Sequence, residues 1–174
     1  LHEAIVRSIR RSVKRGIVVL HYTIQDDHLH LMVEAADKVK LARGMQYLFS
    51  RMAVVLNAQL QRKGSVFRDR HHRHVLKTPS EVRRALVYIL FNSRKHDTSL
   101  LYNEDAIDWI DEASSAMWFE GWDPDARPPP DEVARKRAEI GASPLAVATT
   151  WLAHVGWQRA GGPLRFSERP KIVL

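Results

Sequence analysis

Two histidines stand one residue apart in the segment "HLHLM", at His28 and His30. Side chains at positions i and i+2 of a β-strand lie on the same side of a sheet, so the two imidazoles can reach one cation. The same spacing also occurs where a strand simply carries polar residues on its surface. Metal binding and an ordinary surface strand both remain open from this segment alone.

A second group of polar side chains occurs in "SEVRRALVYILFNSRKH". Arg84, Tyr88 and Asn92 are spaced four residues apart, which places them on one face of a predicted helix. A tyrosine oxyanion can attack phosphorus when a cation stabilises the developing charge, whereas an ordinary half-buried helix tyrosine is the alternative. The other tyrosines lie on a predicted core face, beside an apolar helix stripe, or in an acidic segment: Tyr22, Tyr47 and Tyr102, respectively.

The histidines belong to a predicted β-hairpin. The segments "IVVLHYTIQ" and "HLHLMVE" alternate in polarity and flank Asp26 and Asp27, which predicts a two-residue turn. In that register one face carries polar residues and the other forms the core. The polar face comprises His21, Thr23, Gln25, His28 and His30, and the core face Val18, Leu20, Tyr22, Ile24, Leu29, Leu31 and Val33. We expect an open polar platform, on which Gln25 or His21 assists the histidine pair.

Three further segments have the periodicity of helices. They cover residues 1–14, ended by Gly16, residues 38–63, ended by Gly64, and residues 78 to about 95, where Thr78 and Glu81 predict a capping box. A basic loop and short strand lie between the last two. The resulting order predicts an α+β, ferredoxin-like sandwich, in which an antiparallel sheet carries helices on one face and one strand precedes Leu1.

Charge divides the chain into two predicted domains. Residues 1–99 hold 19 Lys and Arg against 8 Asp and Glu, a net of +11, whereas residues 100–174 have a net charge of −4. We predict a basic domain at 1–99 and a mostly helical, Trp-containing extension at 100–174, with a Pro-rich linker near 123–130. The basic domain favours a polyanion partner, with nucleic acid ahead of an anionic membrane.

Composition excludes several classes of protein. The chain has no cysteine, so disulfides, thiol nucleophiles and cysteine-zinc modules are excluded. No secretory signal pattern opens the sequence and no run of eighteen apolar residues occurs, so we expect a soluble, cytoplasmic protein.

Basic and aromatic residues outside these motifs allow two readings each. In "FRDRHHRH", His71, His72 and His74 could bind zinc, but the interleaved Arg68, Arg70 and Arg73 would repel a cation, so phosphate contact is favoured. Four cations near the end of the first helix either compensate its dipole or contact a nucleic-acid backbone: Arg10, Arg11, Lys14 and Arg15. The tail tryptophans either stack on bases or, as we favour, fill a satellite core: Trp109, Trp118, Trp122, Trp151 and Trp157.

Three motifs in order carry a resemblance to a known family. "HLH" at His28 to His30, "SVFRDRHH" at Ser65 to His72 and "YILFN" at Tyr88 to Asn92 resemble the HUH single-tyrosine transposases, especially the REP-associated tyrosine transposases. The resemblance covers about residues 1–96. It implies a ferredoxin-like nuclease that cuts single-stranded DNA beside a hairpin.

The resemblance also implies roles for individual residues. His28 and His30 would be metal ligands, Asn92 a third ligand, and Tyr88 the nucleophile that forms a 5′-phosphotyrosine. Imidazole and amide ligation suits Mg²⁺ or Mn²⁺. A homodimer is implied, because family members often pair the histidines of one subunit with the tyrosine of another.

Six cations complete the predicted site as DNA contacts: Arg68, Arg70, Arg73, Arg84, Arg94 and Lys95. Two other functions compete with the transposase reading. One is a domesticated, catalytically silent regulator that binds hairpin nucleic acid, and the other is a metal-dependent nuclease that uses water as the attacking group.

Overall fold

The computed structural model describes residues 2–67, 72–95 and 109–170. In these ranges the protein has an α+β fold with one two-stranded antiparallel sheet. The helices and strands are α1 (His2–Ser12), β1 (Ile17–Ile24), β2 (Leu29–Ala35), α2 (Lys38–Gln59), α3 (Pro79–Leu90), α4 (Pro130–Ile140) and α5 (Trp151–His154). Short 3-10 helices cover Val13–Arg15, Asn92–Lys95, Ala116–Trp118 and Gly156–Ala160. None of the described helices has the length and apolar character needed to cross a bilayer.

The chain forms two compact units. The first comprises Leu1–Leu20, Val33–Val75 and Pro144–Ala146, and the second comprises His21–Met32, Leu76–Ser143 and Val147–Leu174. Residues from both sides of position 99 occur in each unit. The tip of the β1–β2 hairpin, including all three of its histidines, therefore belongs to the second unit, together with α3.

The first unit is built on α1 and α2, which pack against each other. Ile9, Leu48 and Met52 are fully buried there. Gly44 allows α2 to lie directly on β1, since a Cβ atom at that position would come within 2.4 Å of the Ile17 Cγ2 atom. The described parts of the predicted basic strand, residues 65–67 and 72–77, are irregular.

The hairpin has the predicted register but not the predicted exposure. The amide of Gln25 donates to the carbonyl of His28 at 2.9 Å, which confirms the two-residue turn at Asp26 and Asp27. Neighbouring residues Tyr22 and Thr23 are nevertheless both 0% exposed, although they point to opposite faces. The expectation of an open polar platform is therefore wrong for this part of β1, which is covered on both faces.

Helix α3 begins as predicted and ends earlier. Thr78 accepts a hydrogen bond from the Glu81 amide at 3.2 Å, and the Glu81 carboxylate accepts one from the Thr78 amide at 2.9 Å, which completes the capping box. The α-helix stops at Leu90, and Asn92 opens a 3-10 helix. Phe91 lies between them and is 1% exposed, with its ring against Trp122 at 5.7 Å. Asn92 therefore does not continue the α-helical register of Tyr88.

The C-terminal region contributes to the core of the second unit. Residue 114 forms an antiparallel bridge with Thr23, and the amide of Ile24 donates to the Ala113 carbonyl at 2.8 Å. The predicted Pro-rich linker also makes backbone hydrogen bonds to the C-terminal region. The amide of Asp123 donates to the Leu164 carbonyl at 2.8 Å, and that of Phe166 to the Ala126 carbonyl at 2.7 Å. This region thus pairs with the edge of β1. Its Pro-rich segment is held by backbone hydrogen bonds to residues 164–166.

Candidate active site

Three of the predicted site residues lie together in the second unit. The ring of His28 lies edge-on to that of His30, with 4.7 Å between centroids, and the ring of His30 lies edge-on to that of Tyr88 at 4.9 Å. His28 ends the hairpin turn and His30 follows in β2, while Tyr88 comes from α3. Two imidazoles and one phenol from separate elements thus form a continuous row within a single chain.

The turn residue Asp27 orients the first imidazole of this row. Its Oδ1 atom lies 2.5 Å from His28 Nδ1, and hydrogen bonding to His28 holds the pKa of the Asp27 carboxyl below its usual range. An ionised carboxylate can only accept a hydrogen bond, so Nδ1 carries the proton and Nε2 is left as the nitrogen for a metal. The sequence suggested Asp27 only as a turn residue, but a carboxylate next to a candidate ligand histidine could have suggested this role.

Asn92 has unused hydrogen-bonding capacity. Its side chain is 1% exposed, and neither its amide oxygen nor its amide nitrogen has a hydrogen-bond partner within residues 2–67, 72–95 and 109–170. A buried amide without partners costs about 1–3 kcal/mol. Such a cost is tolerated where the group takes a ligand, and the role of Asn92 as a metal ligand stays a prediction.

The structure brings the two predicted imidazole ligands together. In the described part of the chain, no three His, Asp or Glu side chains are grouped so that they could hold a metal. His28 and His30 supply two imidazoles, and Asn92 can supply an amide oxygen. A hard divalent ion bound by these three would retain positions for water and phosphate oxygens.

His21 is not available as a further ligand. It is mostly buried, its ring lies edge-on to Phe119 at 5.5 Å, and its Nδ1 atom is 3.3 Å from the Ser115 hydroxyl oxygen. Burial lowers the pKa of His21 to about 4. The expectation that His21 assists the pair on a free platform is wrong, because residues 115–119 cover it. Gln25 instead donates to the Thr23 hydroxyl at 3.0 Å.

The predicted DNA-contacting cations have different positions. Arg73 and Arg84 are exposed, and Arg84 lies one turn before Tyr88 on α3. Arg68, Arg70 and the side chain of Lys95 lie outside the described residues, as do His71 and Tyr102. Among the described cations of this set, the exposed pair is suited to phosphate contact.

Arg94 occupies the interior instead. It is 5% exposed, and its guanidinium lies 4.4 Å from the ring centroids of both Phe91 and Phe166. It also donates to the Phe166 carbonyl, and burial lowers its pKa to about 10. This side chain stabilises the aromatic cluster of the second unit, so Arg94 is not among the proposed DNA contacts.

Comparisons with protein-family models, with curated proteins and with solved structures find no match for this chain. The resemblance to the HUH transposases stays a prediction. The function of the row formed by His28, His30 and Tyr88 must therefore be inferred from its own chemistry.

Proposed function

We propose that this protein is a metal-dependent endonuclease and strand transferase that cuts single-stranded DNA beside hairpins, with Tyr88 as the nucleophile. The observation that carries the proposal is the uninterrupted row of His28, His30 and Tyr88 rings. The proposal includes a ferredoxin-like sandwich and a cytoplasmic location.

The proposed reaction is a transesterification. The Tyr88 Oη atom forms a bond to the scissile phosphorus while the bond from phosphorus to the 3′ oxygen breaks, which leaves a 5′-phosphotyrosine. The phenol loses its proton and the departing 3′ oxygen takes one up. Attack by that 3′ hydroxyl restores the DNA strand, so the cycle needs neither ATP nor an oxidant.

His28, His30 and Asn92 would hold the metal. Mg²⁺ or Mn²⁺ bound there would polarise the phosphate and stabilise negative charge on its oxygens. Asp27 keeps His28 in the tautomer with Nε2 free, and the edge-on contact with His30 keeps the Tyr88 ring beside the donor set. These contacts fix the reacting groups before substrate arrives, which lowers the entropy cost of reaching the transition state.

Two features favour DNA as the substrate. Residues 1–99 have a net charge of +11, and exposed Arg84 lies one helical turn from Tyr88. Cations around the site neutralise backbone phosphates and position the strand. A homodimer remains part of the proposal, although the row of rings forms within one chain and does not need a second subunit to bring Tyr88 to His30.

The test is covalent capture. Wild-type protein is incubated with a labelled hairpin oligonucleotide that carries a single-stranded flank, with Mn²⁺ or with EDTA, and is then separated on a denaturing gel. We expect a metal-dependent protein–DNA adduct that is lost in Tyr88→Phe and in the double variant His28→Ala/His30→Ala. Tyr47→Phe is the matched control, and it should form the adduct normally.

Each alternative function gives a different result. Binding of hairpins without any adduct would overturn the enzymatic proposal in favour of a silent regulator. Free 5′-phosphate ends without a covalent species would indicate that water attacks. An adduct that persists in Tyr88→Phe would show that Tyr88 is not the nucleophile.

A further inference from the structure

Trp151 differs from the other four tail tryptophans in its surroundings. Trp157 is 2% exposed, and its ring lies 5.8 Å from Phe119. Trp109, Trp118 and Trp122 are half-buried. Trp151, at the start of α5, is 51% exposed. The tail therefore does contain a satellite core, but Trp151 does not belong to it.

The Trp151 ring is held in place although half of it is open to solvent. The backbone of Gly156 lies against the indole, since a Cβ atom at that position would be 2.6 Å from the ring carbon Cζ3. The Arg159 guanidinium lies 4.9 Å from the ring centroid. A supported aromatic surface with an arginine beside it loses little side-chain entropy when a flat ligand stacks on it.

The charge of the segment that carries this ring favours an anionic ligand. Residues 141–167 contain no Asp or Glu, whereas residues 100–140 contain eleven. Within the carboxylate-free stretch, His154, Arg159 and Arg165 are all exposed. An acidic region thus contains one cationic segment, and that segment carries the exposed tryptophan.

The same segment packs on the helix that carries Tyr88. Helix α5 and the 3-10 helix Gly156–Ala160 both contact α3. We propose that Trp151 and Arg159 form a stacking site for an unpaired base of single-stranded DNA, with Arg159 contacting the adjacent phosphate. The choice of DNA rests on the proposed function. Base-to-aromatic stacking beside a cation is how proteins bind single strands without reading their sequence.

A protein partner fits this surface less well. Val147 and Val155 are also exposed, at 76% and 42%, so the surface has apolar character. The cation over the ring and the missing carboxylates distinguish it from an ordinary apolar interface, whose centre is depleted of charge. We therefore assign it to a nucleobase with its phosphate.

The test measures binding separately from cleavage. All variants are made in the Tyr88→Phe protein, and fluorescence anisotropy follows a labelled oligothymidylate in EDTA. We expect Trp151→Ala to raise Kd by about 5- to 100-fold. Trp151→Phe, which retains a stacking ring, should stay within about 3-fold, and Arg159→Ala should lower the salt slope of log Kd by about one. Val147→Ala is the exposed apolar control and should bind normally.

Several results would overturn this inference. The first is an unchanged affinity of Trp151→Ala for oligothymidylate in a protein whose melting temperature is also unchanged. If Trp151→Ala does not fold, Trp151→Leu replaces it, because leucine keeps an apolar contact with Gly156 but cannot stack. A change in mass by light scattering without a change in oligonucleotide affinity would mark a protein interface instead.

Failure here can be distinguished from failure of the proposed function. If Tyr88 forms an adduct while Trp151→Ala binds oligothymidylate normally, only the stacking site is wrong. If binding depends on Trp151 and no adduct forms, only the strand-transfer chemistry is wrong.

Discussion

The three histidines of the hairpin have three different environments. His21 lies against Phe119 and Ser115, His28 is hydrogen-bonded to Asp27 at an exposed turn, and His30 faces the Tyr88 ring. A metal ligand needs a nitrogen that solvent or substrate can approach. His28 is the most exposed of the three histidines. The same residue type thus packs in the interior at one position and belongs to the proposed site at two others.

Burial of His21 predicts loss of stability in acid. Its pKa is about 4 in the folded protein and near 6.5 when unfolded, so below pH 6.5 the unfolded chain takes up a proton that the folded one refuses. The stability lost through His21 is therefore zero above about pH 6.5 and grows as the pH falls towards 4. It amounts to at most about 3 kcal/mol.

Urea unfolding at pH 7 and pH 4.5 checks this prediction. The free energy of unfolding should fall less between the two pH values in His21→Gln than in the wild type, because glutamine does not titrate. Equal decreases in both proteins would contradict the assignment of the effect to His21.

The hydrogen bond between Asp27 and His28 leads to a prediction about metal affinity at the proposed site. Asp27→Asn removes the carboxylate that accepts a hydrogen bond from His28 Nδ1. The orientation of the imidazole is then less fixed. We expect Mn²⁺ to bind about 10-fold more weakly by isothermal titration calorimetry, at the lower end of outer-shell effects because Asp27 is exposed. Asp26→Asn is the matched control in the same turn, and an equal loss there would indicate general electrostatics.

At the scale of elements, local sequence signals predicted more than long-range ones. The capping box of α3, the end of α1 near Gly16 and the two-residue turn of the hairpin depend on neighbours within a few residues. The burial of His21 could not be predicted, because it depends on residues about ninety positions away. The end of α3 at Leu90 likewise accompanies packing of Phe91 against Trp122.

The approach of α2 to β1 gives a prediction about Gly44. Gly44→Ala should gain up to about 1 kcal/mol in helix propensity, but its Cβ atom would lie 2.4 Å from Ile17 Cγ2. Ile17 is β-branched and 1% exposed, so it cannot move aside easily, and overpacking should win. We expect a net destabilisation of about 1–2 kcal/mol in chemical denaturation.

A double-mutant cycle identifies the clash. In the Ile17→Ala background the contacting methyl is gone, so Gly44→Ala should cost much less there than in the wild type. A Gly44→Ala protein that is more stable than the wild type would contradict the close approach.

At the scale of the whole chain, charge and structure divide the molecule differently. The sign of the charge changes near residue 99, yet the second unit combines the hairpin tip and α3 with most of the C-terminal region. Within that unit, Arg83 of α3 makes a two-bond pair with Glu168, at 2.8 and 2.7 Å. The acidic region therefore supports the helix that carries Tyr88, which a linear reading of charge did not predict.

The candidate site itself was predictable in part. Its two imidazoles and the phenol follow from their spacing on a strand and a helix, and the structure brings them together. The roles of Asp27 and Arg94 depend on side-chain contacts that no spacing rule specifies. The distinct position of Trp151 also required the arrangement of the tail.

The most direct measurement of the central claim is the identity of the residue joined to DNA. The covalent complex formed with Mn²⁺ is digested with nuclease and trypsin, and the peptides are sequenced by mass spectrometry. Residues 85–94 form one tryptic peptide, in which Tyr88 is the single tyrosine. We predict a phosphonucleotide on that residue. A phosphonucleotide on Tyr22, Tyr47 or Tyr102, or no modified peptide from a preparation that cleaves the hairpin, would contradict the account.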